Sequence, residues 1–320
     1  MDTSWKIGID LGGTKTEVIL LDDRHRVHLR TRQPTPRGDY PGTLETVAAL
    51  VAEAEVAAGR SGLSVGVGIP GTVSRVTGRV KNGNATWLNG QPLREDLGHR
   101  LGRPVVLTND ANCLALSEAT DGAGAGHEVV FAAILGTGCG GGIAVNKCLL
   151  TGPNGLAGEW GHNPLPGATE RERAERPCYC GRQGCIETFL SGPGLSLTCL
   201  QQTGVKRAAE AIARQALEGD ARAQAVLAIY QDQLARGLAS VIHVLDPDVV
   251  VLGGGLSNLA CLYQGLPQRL PAYAFGGEWD TPVRQAVHGD SSGVRGAAWL
   301  GQGSPVASFS GPPSDPGISY

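Results

Sequence analysis

The sequence predicts an α/β fold that is duplicated, with two lobes that face each other across a cleft. In the first half, three strands, a helix and a fourth strand are predicted between Lys6 and Ile69, an order typical of a mixed sheet covered by helices. The second half repeats the opening pattern, because residues 129–143 again suggest a strand, a Gly/Thr turn and a strand. A later apolar strand, at residues 248–252, ends in three glycines.

Length and charge limit the class of protein. With 320 residues, the chain is long enough for two domains. Its net charge is −3 and its lysines and arginines are scattered, which argues against nucleic acid or a membrane as a partner. The first residues do not resemble a secretion signal, and no apolar run approaches the roughly 18 residues that span a bilayer. We therefore expect a cytoplasmic protein, in which eight cysteines favour metal binding or burial over disulfides.

The first glycine turn, Gly12–Thr14, joins a predicted strand at Lys6–Leu11 to one that starts at Lys15. One interpretation is an ordinary hairpin. The other is that the backbone N–H groups of the turn wrap phosphates, while Asp10 at the strand end holds a hydrated Mg²⁺. The carboxylate just before the turn favours the second interpretation, although the spacing is not that of a P-loop.

Apolar spacing assigns the next elements. In order, they are a strand at 27–32, a helix at 43–58, a buried strand at 65–69 before a Pro-Gly turn, a polar loop at 73–87, and a helix at 92–101 with a proline near its start. The asparagines of the polar loop favour turns for local reasons. Their amides also suit sugar hydroxyls, because they offer a donor and an acceptor together, so both interpretations stay open.

Asp110 lies where a short apolar strand, Val105–Asn109, meets the start of a predicted helix. Aspartate is a frequent helix N-cap, and that role alone would explain its position. Alternatively, a carboxylate at this junction could accept the proton of a substrate hydroxyl as its oxygen attacks a phosphate. The glycine-rich loops, the two glutamates Glu159 and Glu187 and a cluster of metal-ligand residues are all expected to converge here, which favours the catalytic interpretation.

The second glycine turn follows the strand predicted from Val129 to Leu135. It contains G-x-G-x-x-G, but an apolar strand follows it where a dinucleotide-binding motif would continue as a helix. A second phosphate-wrapping hairpin is therefore expected, with nucleotide in the cleft between the halves. Residues 221–245 predict a helix with a single core-facing stripe, and the Gly-, Ser- and Pro-rich tail from Gly301 predicts disorder.

A cysteine-rich segment predicts a closed zinc site formed by His162, Cys178, Cys180 and Cys185. One imidazole and three thiolates complete the tetrahedral set of a structural zinc. Unrelated buried thiols or a redox pair are the alternatives. Two glutamates lie close in sequence to these ligands, and carboxylates fixed in this way can accept hydrogen bonds from a polyol.

These motifs together resemble the ROK family of bacterial sugar kinases and repressors, which has the actin-like, ribonuclease-H-like ATPase fold. The resemblance covers residues 6–300 and rests on five motifs in order: Asp10-Leu11-Gly12-Gly13-Thr14-Lys15, Asn109-Asp110-Ala111-Asn112, Gly136-Thr137-Gly138, Gly158-Glu159-Trp160-Gly161-His162 and the C-x-C-G-x-x-G-C cluster. It implies an N-terminal lobe of residues 1–118 plus about 291–302. The C-terminal lobe would comprise residues 119–290 with the zinc loop at 158–187, followed by a disordered tail at 303–320.

The resemblance also implies residue roles and cofactors. Asp110 would be the general base, and zinc would be structural. Mg-ATP would be held by Gly8, Asp10, Gly12, Gly13, Thr14, Lys15, Gly136, Thr137, Gly138, Gly140, Gly254 and Gly255, with Asp10 on Mg²⁺. The sugar would be lined by Gly71, Asn84, Asn109, Asp110, Glu159, His162 and Glu187. His162 would serve twice, with one nitrogen on zinc and the other toward a sugar hydroxyl, and the protein would be a homodimer.

The loop at 81–90 and the segments at 161–166 and 178–181 resemble those of the fructose kinases of this family that also accept mannose. We therefore expect ATP-dependent phosphorylation of fructose at its 6-hydroxyl. The alternatives are an N-acetylglucosamine or glucose kinase, a sugar-sensing repressor and a sugar-binding regulator without catalysis. A repressor needs a helix-turn-helix before the core, and the five residues before Lys6 leave no room for one in this sequence.

Overall fold

The computed structural model describes residues 4–301 and consists of two five-stranded mixed sheets, each packed with helices. The predicted disordered tail lies outside the described residues. The strands are β1 (Lys6–Leu11), β2 (Lys15–Leu21), β3 (Val27–Pro34), β4 (Val65–Ile69), β5 (Thr72–Val73), β6 (Val80–Lys81), β7 (Val105–Asn109), β8 (Val129–Leu135), β9 (Cys139–Val145), β10 (Cys148–Leu149), β11 (Val249–Gly253) and β12 (Val283–Gln285). The helices are α1 (Tyr40–Ala58), α2 (Leu93–Leu101), α3 (Asp110–Asp121), α4 (Glu170–Ala174), α5 (Glu187–Leu190), α6 (Gly192–Thr203), α7 (Ala209–Leu217), α8 (Ala221–Leu245), α9 (Ala260–Arg269) and α10 (Ser292–Leu300).

The two sheets share one topology. The first has the order β3-β2-β1-β4-β7 and the second the order β10-β9-β8-β11-β12. In each sheet the first three strands in sequence are antiparallel neighbours, and the remaining two continue the sheet in parallel. This repetition confirms the predicted duplication and the α/β fold class.

Helix α8 forms over the whole of its predicted range. Its side chains Leu234, Leu238 and Ile242 are buried at spacings of four residues, which places them along one stripe of the helix facing the core of the second lobe. The helix begins after Asp220, whose carboxylate accepts from the N–H groups of Arg222 and Ala223. Apolar periodicity and an N-cap residue therefore specify this element locally.

Two segments differ from their predictions. The loop at 73–87 carries the short hairpin β5–β6 and a turn of 3₁₀ helix at Thr86–Leu88, both within the region predicted as irregular. Helix α1 begins at Tyr40 rather than residue 43, because Asp39 accepts from the N–H of Gly42 and caps it. Elements of two or three residues, such as β5, β6 and the 3₁₀ turn, are too short to show a periodic pattern in the sequence.

Helix α10 returns from the second half of the chain to the first sheet. It packs on β1 and β4, and glycines on those strands allow its backbone to approach closely. A Cβ added to Gly8 would lie 2.2 Å from the carbonyl oxygen of Val294, and one added to Gly66 would lie 1.9 Å from that of Ala297. Among the described residues, no helix is long and apolar enough to cross a membrane.

Candidate active site

A cavity of about 1080 Å³ lies between the two sheets. Its walls come from the β5–β6 hairpin and the loop after it, the start of α3, the β8–β9 hairpin and the cysteine-rich segment. All of the residues that the resemblance assigns to the sugar line it: Gly71, Asn84, Asn109, Asp110, Glu159, His162 and Glu187. Residues far apart in sequence are thus brought to one polar cavity.

Asp110 is the first residue of α3 and is exposed to the cavity. Its capping interpretation is wrong, because Asn109 is the N-cap and its Oδ1 accepts from the N–H of Asn112 at 2.8 Å. The carboxylate of Asp110 accepts from the N–H of Ala111 at 2.8 Å. The neighbouring asparagine satisfies the helix terminus, and Asp110 is thus presented to the cleft.

Two neighbouring carboxyl groups have raised pKa values: Asp110 in the cavity lining and Asp10 near the end of β1. The pKa of Asp110 is raised, chiefly because the cleft walls shield it from bulk water. The hydrogen bond from the N–H of Ala111 lowers this pKa, and the negative charge of Glu159 raises it. The pKa of Asp10 is raised to about 7, chiefly by burial and then by the charge of Asp110. Two neighbouring carboxylates that repel each other are a suitable place for a cation or a proton.

The turn of the first glycine hairpin lies close to the loop that carries Asn84, which is one of the residues lining the cavity. The N–H of Gly12 donates to the carbonyl of Lys15 at 3.0 Å, and a Cβ added to Gly13 would lie 3.8 Å from Oδ1 of Asn84. Residues of this turn do not line the cavity itself. Gly8 was predicted to bind nucleotide. In the structure it packs closely against α10, so its role is corrected to packing.

The second glycine hairpin reaches the cavity directly, through Thr137, Gly138 and Gly140. Gly136 instead accepts from the N–H of Gly192 at 2.7 Å, so the turn is joined to the start of α6. Gly254 and Gly255 follow β11 outside the cavity lining. The φ of +80° at Gly254 and its closeness to the carbonyl of Leu135 exclude a side chain there.

Glu187 bonds directly to the second hairpin, whereas Glu159 is joined to it only through the residue that follows it. Oε2 of Glu187 accepts from the N–H of Cys139 at 2.9 Å. Glu159 is followed by Trp160, whose indole N–H donates to the carbonyl of Gly140 at 2.8 Å. The predicted acceptors of sugar hydroxyls are therefore held by the same hairpin that is expected to bind phosphate.

The four predicted zinc ligands converge, with all of their ligand atoms within 4.8 Å of one another. Sγ of Cys180 lies 3.6 Å from Sγ of Cys185, and Sγ of Cys178 lies 3.5 Å from Nδ1 of His162. Tetrahedral zinc with bonds of about 2.3 Å to sulfur and 2.0 Å to nitrogen requires ligand separations of about 3.5 to 3.8 Å. The residues present therefore match a closed zinc site.

One of these three thiols, that of Cys180, has a lowered pKa. Burial acts to raise the pKa of Cys180, but hydrogen bonds from the N–H of Arg182 and from the Cys178 thiol outweigh it and lower the pKa to about 6. Thiolates are the form that binds metals, but burial raises the pKa values of Cys178 and Cys185, so a metal ion would have to displace protons from these two thiols.

Sequence reasoning missed two residues at the cavity. Tyr179 lines it between two predicted zinc ligands, and its hydroxyl is 3.0 Å from Nε2 of His162, the nitrogen expected to face a sugar. Arg75, beside the cavity on the β5–β6 hairpin, donates to the carbonyls of Gly152 at 2.7 Å and Pro153 at 2.8 Å in the opposite lobe. The position of Tyr179 inside the cysteine motif was the only signal that could have found it.

Duplicated sheets, a glycine hairpin at the cavity between them and a carboxylate in its lining are features of the ATP-dependent phosphotransferases of the actin-like class. The sequence profile of the ROK family matches residues 6–304, and the chain belongs to this family. The predicted family and fold class are thereby confirmed.

Similar proteins cover nearly the whole chain. An N-acetyl-D-glucosamine kinase of Escherichia fergusonii is 41% identical over 297 residues, which are 92% of this chain and 98% of that protein. The crystal structure of a ROK hexokinase from Thermus thermophilus gives a TM-score of 0.82 at 31% identity, covering 93% of this chain and 97% of that one. The crystal structure of a ROK family glucokinase from Streptomyces griseus, in complex with glucose and AMPPNP, gives a TM-score of 0.76 at 30% identity. The match covers 93% of this chain and 99% of that one.

Proposed function

We propose that the protein transfers the γ-phosphoryl group of ATP to the 6-hydroxyl of a hexose, with N-acetylglucosamine as its principal sugar. The observation that carries the proposal is the position of Asp110 on the floor of the interlobe cavity. A carboxylate there, between a glycine hairpin and two fixed glutamates, has the surroundings that phosphoryl transfer to a sugar hydroxyl requires.

In this mechanism Asp110 accepts the proton of the attacking hydroxyl. Its raised pKa brings its proton affinity closer to that of a working general base at neutral pH. Thr137 and Gly138, in the β8–β9 turn that lines the cavity, would bind the transferring phosphoryl group through their N–H groups. Mg²⁺ bound with ATP supplies charge neutralisation, and Asp10 is the carboxylate that would hold it. Closure of the lobes excludes water that would otherwise accept the phosphoryl group.

The remaining lining residues orient the sugar. Glu159 and Glu187 accept from its hydroxyls, and Asn84 supplies an amide from the opposite wall. A structural zinc on the four converging ligands would hold the segment that carries both glutamates. Proximity of this kind supplies much of the rate enhancement, because the hydroxyl is held near the phosphate in one orientation.

The choice of N-acetylglucosamine rests on the relatives, since several proteins of that name are 40% or 41% identical along nearly their whole length. Fructose, the sugar expected from the sequence, is the second candidate. The loop that motivates it does reach the cavity through Asn82, Asn84 and Asn89. In that loop Asn89 bonds both the N–H and the carbonyl of Gly83 at 2.9 Å, so part of its amide chemistry serves the loop itself.

The test is ADP release with Mg-ATP and N-acetylglucosamine, fructose, mannose and glucose in parallel. We expect the highest kcat/KM with N-acetylglucosamine. Highest turnover with fructose would restore the loop as the specificity element, and silence with all four sugars would favour a sugar-binding regulator. The homodimer and the cytoplasmic location stay predictions of the sequence, and sedimentation analysis tests the first of them.

A further inference from the structure

Tyr179 lies at the mouth of the sugar side of the cavity and has no role in the mechanism above. It stands between Cys178 and Cys180, and its residue surface is 73% exposed. Its ring meets the imidazole of His162 edge-on, with centroids 5.1 Å apart and planes at 85°. Its hydroxyl oxygen is 3.0 Å from Nε2 of His162. A large side chain this exposed is held in place by one directed hydrogen bond.

The direction of that hydrogen bond follows from the cysteine cluster. Nδ1 of His162 faces Sγ of Cys178 at 3.5 Å and is the nitrogen offered to a metal. A neutral imidazole whose Nδ1 serves as a ligand carries its hydrogen on Nε2. Nε2–H therefore donates to the hydroxyl oxygen of Tyr179. The hydrogen of that hydroxyl remains available to a group in the cavity, since a tyrosine hydroxyl both donates and accepts.

The chemistry of this wall indicates what the hydroxyl would bind. Glu159 and Glu187 also line it, and carboxylates only accept hydrogen bonds, which suits the hydroxyls of any hexose. An N-acyl oxygen differs, because it can only accept and needs a donor. His162 has used its available N–H on Tyr179. Among the described residues of segment 158–187 that line the cavity, the phenol of Tyr179 is then the side-chain donor that remains beside the two carboxylates.

We propose that Tyr179 is a sugar-specificity residue whose hydroxyl, oriented by His162, donates a hydrogen bond to the N-acyl oxygen of the substrate. The inference rests on the proposed kinase function and deepens it. Because a hexose without the acyl group cannot make this bond, Tyr179 distinguishes N-acetylglucosamine from glucose in one wall of the cavity. The effect belongs to sugar binding, and the phosphoryl-transfer step does not use it.

The experiment compares Tyr179→Phe, which removes only the hydroxyl, with Tyr40→Phe. Tyr40 is a matched control because its hydroxyl also makes one side-chain hydrogen bond, to Asp96 at 2.6 Å, away from the cavity lining. We expect Tyr179→Phe to raise KM for N-acetylglucosamine about 2- to 10-fold, the usual effect of one lost hydrogen bond. Its kcat, its KM for glucose and its zinc content should equal those of Tyr40→Phe.

An unchanged KM for N-acetylglucosamine, or an equal rise for glucose, would overturn the inference. Loss of zinc from Tyr179→Phe would do the same, because it would show that the phenol only supports the metal site. Calorimetric titration of the unmodified protein and of Tyr179→Phe with N-acetylglucosamine measures the contribution of the hydroxyl to sugar affinity without catalysis. Unmodified protein that binds this sugar more tightly than Tyr179→Phe but does not phosphorylate it would refute the kinase function and support the role of Tyr179.

Discussion

Replacing Asp10 with asparagine should stabilise the metal-free protein while removing its activity. The pKa of Asp10 is raised to about 7 in the fold, compared with about 3.9 in an unfolded chain. A difference of about three units, at about 1.4 kcal/mol each, corresponds to about 4 kcal/mol of destabilisation when the group is ionised in both states. Because the residue is partly exposed, we expect a gain of about 2 to 4 kcal/mol for Asp10→Asn at pH 8.

The pH dependence gives the prediction its sign. Between about pH 4 and pH 7 the folded protein keeps a proton on Asp10 that the unfolded chain loses, so stability contributed by this group is lost as pH rises through that range. The difference between Asp10→Asn and the unmodified protein should therefore shrink to below about 1 kcal/mol at pH 4.5. Urea denaturation without Mg²⁺ at both pH values measures it.

Asp23→Asn is the control, since Asp23 is an exposed aspartate beyond the end of β2. It should change stability little at either pH. A loss of stability in Asp10→Asn at pH 8, or a gain of equal size at both pH values, would refute the argument that Asp10 is held at an electrostatic cost. Stabilisation of Asp10→Asn by Mg-ATP equal to that of the unmodified protein would refute its assignment to the metal.

The remaining predictions concern the base, the metal cluster and the contact between the lobes. Asp110→Asn should lower kcat about 10²- to 10⁴-fold with an unchanged melting temperature, and near-normal turnover would contradict its role as the base. Cys180→Ser should lose zinc, measured by atomic absorption, and lower the melting temperature, whereas full zinc content would contradict the ligand set. Arg75→Ala should raise the sugar KM about 2- to 10-fold, because it removes the hydrogen bonds to Gly152 and Pro153 across the cleft, and an unchanged KM in steady-state kinetics would contradict that role.

Apolar periodicity and capping residues in the sequence were sufficient to predict the helices and strands that are specified by local interactions. The stripe of Leu234 and Leu238 and the cap at Asp220 define α8 without reference to the rest of the chain. The strands around the glycine turns likewise show their burial as apolar runs. The convergence of His162, Cys178, Cys180 and Cys185 could be predicted because a zinc site requires particular ligand types and spacing, whatever fold surrounds it.

The roles of some residues depend on tertiary contacts and could not be predicted from sequence patterns. Asp110 and Asn109 are both good N-cap residues, and only the structure shows which of them caps and which faces the cleft. Gly8 belongs to a glycine-rich motif, but its lack of a side chain serves the approach of α10. Tyr179 depends on the orientation of an imidazole 17 residues away, which spacing does not reveal.

The return of α10 to the first sheet affects how the protein can be made. Strand β7 completes that sheet at Asn109, but the helix that covers Gly8 and Gly66 ends only at Leu300. At about 5 to 20 residues per second, a ribosome needs roughly 10 to 40 s to synthesise the intervening chain. During that interval the helix that packs against Gly8 and Gly66 has not yet been made. The first sheet therefore acquires the packing of α10 only after nearly the whole chain has been translated.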